Sequence, residues 1–439
     1  MDQLIPSLAA LLAPLQPVFR AEVFPTFQVM TLGWVMCLGR RTISRVWETS
    51  GRAQKQRHDP AFRLFSQACW NWDEVMRILL VRLVATFIPG SRVWLVIDDT
   101  LCHKRGAKVA FGGIFLDAVL STKKHKTFRY GNNWVLLGLV VQLPGRNHRS
   151  FCLPLLWRVA EKKGKKSKAE HRTKPVLAAE LLKIVAEWLP GKEFVVVADS
   201  AYVGKALCFD RPATVDILGP MCWTAALTEV RRGREGQWES TKKRLPTPRE
   251  ILADDRRWPP ARRHLKLRSG LIRKLELKEL LVCWPTVTGQ QVVKVVLTRD
   301  PKKEWRDEAL LSTQTKFTAK ECVLGYCRRW SVEVAIGEAK QLLGFHDPCV
   351  WKKEAVLRAA PMAWFVGTVT VLWYAREGKK HRPAQRWQGG SHRQEETFAM
   401  MLATLRLAQW ENWCVSQGDK CTVPEAGRKW LFEYIATAT

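Results

Sequence analysis

The stretch Tyr326–Lys340, YCRRWSVEVAIGEAK, places an aromatic hydroxyl, a guanidinium, a carboxylate and an ammonium at steps of three, four and seven residues. At about 100° per residue, those steps bring Tyr326, Arg329, Glu333 and Lys340 within an arc of roughly 60° on one helix. Gly337 lies on the same side and lets a bulky ligand come close. A carboxylate framed by phosphate-binding side chains points to a metal ion held against a nucleic-acid backbone. Glu338 has the same charge but projects about 140° from Glu333, so Glu333 is the acid expected to face the ligand.

Such a site needs more than one acid, and two strand ends supply them. Arg92–Asp99, RVWLVIDD, is a short apolar run closing on two carboxylates, and Glu193–Ala198 is another, closed by Asp199. Runs of this kind read as buried central strands, whose ends face a site. Two acids ending neighbouring strands and a third on a later helix are what two-metal phosphoryl transfer requires. Mg²⁺ takes oxygen ligands from a few carboxylates, and a pair of ions about 4 Å apart serves the attacking and the leaving oxygen. The candidates are Asp98 or Asp99, Asp199 and Glu333. Each has a plainer reading: acids at strand ends also cap helices and form turns.

The totals agree with a polyanionic partner. The chain has 439 residues with 71 Lys and Arg against 41 Asp and Glu, a formal charge of +30. That balance favours nucleic acid over a neutral metabolite. No signal peptide and no apolar run of about 20 residues is read, so a membrane partner is not expected. The longest apolar block, Pro361–Ala375, reads as a buried helix. The 12 cysteines are scattered without a CxxC pair, which argues against structural zinc and for a reducing, cytoplasmic or nuclear setting. Most of the 21 tryptophans sit among apolar neighbours, where packing is their ordinary role.

Around these residues the chain divides by texture. Residues 1–90 read as helical: Leu4–Phe19 and Phe27–Leu38 have helical spacing, and Trp72–Phe87 is an amphipathic helix closed by Pro89-Gly90. The basic segment Arg41–Arg63 gives this region the composition of a DNA-binding module. Residues 91–219 and 306–345 alternate strand and helix, which describes a mixed α/β sheet. Trp134–Leu143 is a core strand ending at Pro144-Gly145, Pro175–Leu189 a helix, and Thr214–Leu218 a further strand. The loop Glu161–Lys174 carries seven Lys or Arg against two Glu and suits either solvent or phosphate. Residues 220–305 read as a basic β-rich insertion. Within it Arg231–Lys274 holds 15 Lys or Arg, and Leu275–Trp284 with Gln291–Thr298 forms a hairpin. Residues 346–439 return to helix over Val350–Ala375, Glu396–Trp413 and Pro424–Ile435, with a polar linker at Arg376–Gln394.

The spacing Tyr326-x2-Arg329-x3-Glu333-x6-Lys340 resembles the Tyr-Arg-Glu-Lys signature of bacterial insertion-sequence DDE transposases, the cut-and-paste group with an RNase H-like catalytic domain. IDDTLCHKRG (Ile97–Gly106) looks like the first-acid motif of that superfamily, with its Thr, basic pair and Gly, and VVVADSAY (Val195–Tyr202) is similar to the second. The likeness spans about residues 90–345 and rests on four residues at three fixed gaps plus two acids in order. It implies an RNase H-like mixed sheet with a β-rich insertion, flanked by helical N- and C-terminal regions. It also implies Asp98, Asp199 and Glu333 as ligands of two Mg²⁺ ions, with Mn²⁺ as a substitute and Asp99 as the alternative first acid. Tyr326, Arg329, Lys340 and the pair Lys104 and Arg105 would contact DNA phosphates. In relatives a Trp of the insertion receives a flipped base; Trp284 is the counterpart suggested here, with packing in the hairpin as the alternative. The implied partners are double-stranded DNA, both terminal inverted repeats and target, bound by a homodimer, in a bacterial cytoplasm at the nucleoid. A nuclease without strand transfer and a domesticated, inactive DNA-binding protein are the competing readings.

Overall fold

The computed structural model describes residues 3–416 except 123, 144–148, 163–170, 235, 267–271 and 382–395, and beyond them residue 427. The proposed helix Pro424–Ile435, the turn Pro144-Gly145, most of the 161–174 loop and most of the 376–394 linker therefore lie outside the described residues. The chain opens with five helices, α1 (Pro6–Leu12), α2 (Phe24–Met36), α3 (Ile43–Thr49), α4 (Asp59–Ser66) and α5 (Trp72–Phe87). Proline stands in the first turn of α1, α2 and α4, where its fixed φ suits the helix and its missing N–H is not needed. Asn71 caps α5 by accepting from Glu74 N–H at 2.9 Å, so the helix spans the residues that the periodicity predicts. α2 is buried almost all round, from Phe24 to Val35, as expected of a core helix rather than a DNA-reading one.

The sheet follows: β1 (Arg92–His103), β2 (Gly113–Leu116), β3 (Phe128–Gln142) and β4 (Ser150–Ala160), then α6 (Lys174–Trp188), β5 (Glu193–Val197), α7 (Lys205–Cys208) and β6 (Val215–Pro220). β3 pairs antiparallel with β1, β2 and β4, whereas β5 runs parallel to β1 and β6 parallel to β5. Four antiparallel strands followed by two parallel ones, the latter reached through helices, form the mixed α/β sheet that the sequence leads one to expect.

The insertion contains β7 (Thr228–Arg232), β8 (Trp238–Arg244), α8 (Pro248–Ala253), β9 (Ala261–Lys266), β10 (Ile272–Cys283), α9 (Pro285–Thr288) and β11 (Val292–Arg299), and it returns through β12 (Glu308–Ser312). β10 and β11 are the hairpin read from the sequence, with a helical turn between them. What local periodicity does not reveal is that β12 pairs antiparallel with β6 and carries the insertion onto the same sheet, twelve strands in all. Arg231–Lys274 is also more regular than its composition suggests, since β8 pairs with β7 and β9 with β10.

The last described elements are α10 (Ala319–Tyr326), α11 (Trp330–Leu342), α12 (Lys353–Ala359), α13 (Met362–Trp373), α14 (Lys379–His381) and α15 (Phe398–Ser416). Lys353–His381 runs helically for 29 residues and is long and apolar enough to cross a membrane, but 83% of its most apolar window is buried inside the protein. Trp364 of α13 meets Trp134 of β3 at 5.8 Å and Trp157 of β4 at 5.3 Å, and Phe27 of α2 meets Phe365 at 5.2 Å. The helices before and after the sheet thus share one apolar core with it. Most of the described cysteines are buried, as small apolar residues are.

Candidate active site

Successive residues of a strand point to opposite faces, so Asp98 and Asp99 part company on β1. The parallel register pairs Val96 with Val197; two residues further on, Asp98 comes beside Asp199. Asp98 is largely buried. Its Oδ1 accepts the Asp99 N–H at 2.8 Å and its Oδ2 accepts from Arg329 Nη1 at 3.4 Å. Burial, followed by the repulsion of Asp199 and Asp99, pushes its carboxyl up to about 7, against the pull of the Asp99 N–H and of Arg329. Asp199 also serves the turn, its Oδ1 accepting the Ala201 N–H at 2.8 Å.

On the other face Asp99 is fully engaged. Lys174 Nζ, at the start of α6, donates to Oδ2 at 2.5 Å, and the buried Tyr202 hydroxyl donates to Oδ1 at 2.9 Å. Burial, then the nearby Asp99 charge, raises the Tyr202 phenol and keeps it a donor.

The third acid arrives on α11. A capping box, Thr318 with Glu321, starts α10. Gly325 lets α10 approach the sheet, because a Cβ there would meet Leu218 and Trp94 at 2.8 Å. Tyr326–Lys340 is not one continuous α-helix: Cys327–Arg329 tightens into a 3₁₀ turn before α11 begins. That turn sets Arg329 between the acids, where its guanidinium donates to Glu333 as well as to Asp98. Burial works against the Arg329 charge, but Glu333, Tyr326 and Asp98 outweigh it and raise its pKa. Tyr326 is raised by burial while Arg329 favours its ionised form, and Asp199 and Glu308 oppose that. Asp98, Asp199, Tyr326, Arg329 and Glu333 therefore form one cluster. Glu308 at the start of β12, raised by burial and drawn down by Arg306 and Arg329, adjoins it. Nothing local in the sequence marks Glu308; the return of β12 to β6 brings it there.

Lys340 stands apart. It is two turns beyond Glu333, about 10.5 Å along the axis. Burial lowers its pKa, and the groups that support its charge are Asp117 and Cys102 rather than the acids of the cluster. Between the two, a Cβ on Gly337 would meet nothing within 4 Å, which is the open approach the sequence suggested. Beside Lys340 lies a group that the sequence did not signal. His103 Nε2 bonds Asp117 Oδ2 at 2.6 Å, and the His103 backbone N–H donates to His346 Nδ1 at 3.1 Å. The two imidazoles stack at 4.9 Å. Burial, then the neighbouring Lys340, His103 and Lys104, pushes His346 down to about 3.

The remaining candidates fare differently. Lys104 Nζ donates to the carbonyls of His346 at 3.2 Å and Pro348 at 2.9 Å, which ties the loop after α11 to β1. Arg105 is exposed. Trp284 is 8% exposed within the main core, so the packing alternative describes it and the DNA-contact assignment does not. Glu338 lies within 3.9 Å of Arg149, away from the cluster.

Among the described residues, no three His, Cys, Asp or Glu side chains converge closely enough to hold an ion, because Arg329 lies between Asp98 and Glu333. The donor chemistry nevertheless fits a hard divalent cation: the acids offer oxygen ligands only, and a cation would offset the burial that chiefly raises Asp98 and the smaller repulsion from Asp199 and Asp99.

Residues 14–209, a little under half of the chain, match the family model described as DDE superfamily endonuclease. The matched segment contains Asp98 and Asp199 and ends before Glu333. A solved structure described as a piggyBac transposase synaptic complex with hairpin DNA aligns at a TM-score of 0.39 and 12% identity, covering 98% of this chain and 76% of that one. Comparison with curated proteins gives no match.

Proposed function

We propose that the chain is a DDE transposase that cuts DNA at the ends of its element and joins the freed 3′ hydroxyl to a target duplex. The observation that carries this reading is the placement of Asp98 beside Asp199 by strand register, with Arg329 linking Asp98 to Glu333. Its endonuclease half is supported by the likeness of residues 14–209 to DDE superfamily endonucleases. Asp98, Asp199 and Glu333 would hold two Mg²⁺ ions, with Mn²⁺ able to substitute. When bound, the ions would supply activation of the attacking oxygen and stabilisation of the leaving one.

The chain's own side chains do the rest. Arg329 exchanges its carboxylate partners for the scissile phosphate, and Tyr326 steadies it there. Lys340, two turns on, contacts a neighbouring phosphate across the gap left by Gly337, and exposed Arg105 binds farther along the duplex. The +30 charge gives strongly salt-dependent binding. Strand transfer from both ends calls for a homodimer on DNA, acting at the nucleoid of the host cytoplasm, and the element is of the bacterial insertion-sequence type.

The test uses duplexes tiled across the DNA that flanks the gene. Wild type should cleave one of them with Mg²⁺ and join the 3′ end to a second duplex, whereas Asp199→Ala and Glu333→Ala should bind it but not cut. Cleavage without joining would assign a nuclease, binding without cleavage a domesticated DNA-binding protein, and full activity in either variant would sink the triad.

A further inference from the structure

The hairpin of β2 and β3 exposes more apolar surface than its place on the sheet explains. Leu116 pairs with Phe128, and Ile114 lies two residues from Leu116 on the same face. All three side chains are exposed, and beyond them Val119 is 82% exposed and Leu120 49%. The turn that carries Val119 and Leu120 is built rather than loose. Asp117 accepts their N–H groups at 3.1 and 3.2 Å, its own N–H donates to Thr127 O at 2.9 Å, and Thr127 N–H donates to Ser121 Oγ at 3.0 Å. Through its other oxygen Asp117 holds His103 at the end of β1, which fixes the hairpin to the strand that carries Asp98.

The charge around this tip indicates what covers it. Lys124, His125, Lys126 and Arg129 are exposed beside the apolar residues, while Asp117, the segment's one acid, is buried and paired. A second copy of so basic a chain would be repelled here, whereas a duplex brings phosphates to the cations and base edges to the apolar tip. Apolar side chains flanked by cations are what proteins insert at a base step to kink DNA. The register also gives a distance. Asp98 pairs with Leu136, and Phe128 is eight residues back along β3, about 27 Å at strand rise, or about eight base pairs at 3.4 Å each.

We propose that Gly113–Thr122 with Lys124–Arg129 is a DNA wedge, with Val119 and Leu120 entering a base step at or just beyond about the eighth pair from the scissile phosphate and Lys124, Lys126 and Arg129 on the flanking phosphates. This rests on the transposase reading. The test first locates the scissile phosphate on the flanking duplexes, then places 2-aminopurine at each of the sixth to tenth pairs on either side of it, with Ca²⁺ replacing Mg²⁺. Wild type should raise the fluorescence several-fold at one position, and the Val119→Ser, Leu120→Ser double variant should abolish that rise and weaken binding about 10-fold. Lys124→Ala with Lys126→Ala should flatten the salt dependence by about two charges. If wild type cleaves but no position responds, or if the double variant dissolves a dimer while the fluorescence stays unchanged, the wedge is refuted and the transposase reading stands. If no duplex is cleaved, both fall. Circular dichroism of the variants, all at exposed positions, should match wild type.

Discussion

Asp98 and Asp99 are consecutive on β1, and the two sides of the sheet treat them differently. On one side Lys174 and Tyr202 each donate a hydrogen bond to Asp99, one to each oxygen. On the other, Asp98 is buried against Asp199 and has only a long bond to Arg329 beside the Asp99 N–H. A paired carboxylate holds a fold together, whereas one crowded by like charge is poised to accept a cation. The same contrast separates Glu333, which shares Arg329, from Glu338, which lies by Arg149.

The largest effect should come from exchanging the roles of the pair. Asp98→Ala should lower Mg²⁺-dependent cleavage by about 1,000-fold or more, since metal-held charge stabilisation is worth several kcal/mol, while melting is not lowered. Asp99→Asn should do the reverse: cleavage within about 10-fold of wild type, but stability lower by about 1–3 kcal/mol because the Lys174 ammonium and the buried Tyr202 hydroxyl lose their charged partner. Cleavage rates and thermal melts of the two proteins check this directly.

A smaller effect concerns pH. The Asp98 carboxyl is raised to about 7 from an ordinary 3.8, so the folded state binds its proton more tightly than the unfolded chain. Its contribution therefore favours folding at low pH and is lost as pH rises from 3.8 through 7. In metal-free protein, Asp98→Asn should melt like wild type at pH 4 and several degrees above it at pH 8. An equal difference at both pH values would show that burial does not set this carboxyl.

The smallest effect separates two neighbouring cations. Arg105→Ala should weaken duplex binding about three-fold and lower the salt slope by about one. Lys104→Ala should leave the slope unchanged and lower the melting temperature, because its ammonium sits on the carbonyls of His346 and Pro348. Titration of binding against salt for both variants distinguishes them.

Much of this was legible in the sequence where the signal is local. Asn71 and Pro89-Gly90 bracket α5, the apolar run before Asp199 is β5, that before Asp98 is only the first half of β1, which continues through both acids to His103, and the spacing of Tyr326, Arg329 and Glu333 brings those side chains together. What stayed hidden depends on pairings far apart in the chain. The β12 to β6 pairing joins residues 90 to 94 positions apart and carries Glu308 to the cluster. The 3₁₀ turn at Cys327–Arg329 and the two-turn offset of Lys340 divide what a helical projection shows as one face, because a projection discards distance along the axis. Trp284 illustrates the same limit: a hairpin position does not reveal which way the ring is buried.

The most direct test replaces oxygen with sulfur at the disputed position. Asp98→Cys and Asp99→Cys are compared for cleavage of the mapped end duplex in Mg²⁺ and in the more thiophilic Mn²⁺. If Asp98 holds the ion, Asp98→Cys is inactive with Mg²⁺ and recovers with Mn²⁺, while Asp99→Cys cleaves with both. Recovery confined to Asp99→Cys, or normal Mg²⁺ cleavage by Asp98→Cys, would contradict the account.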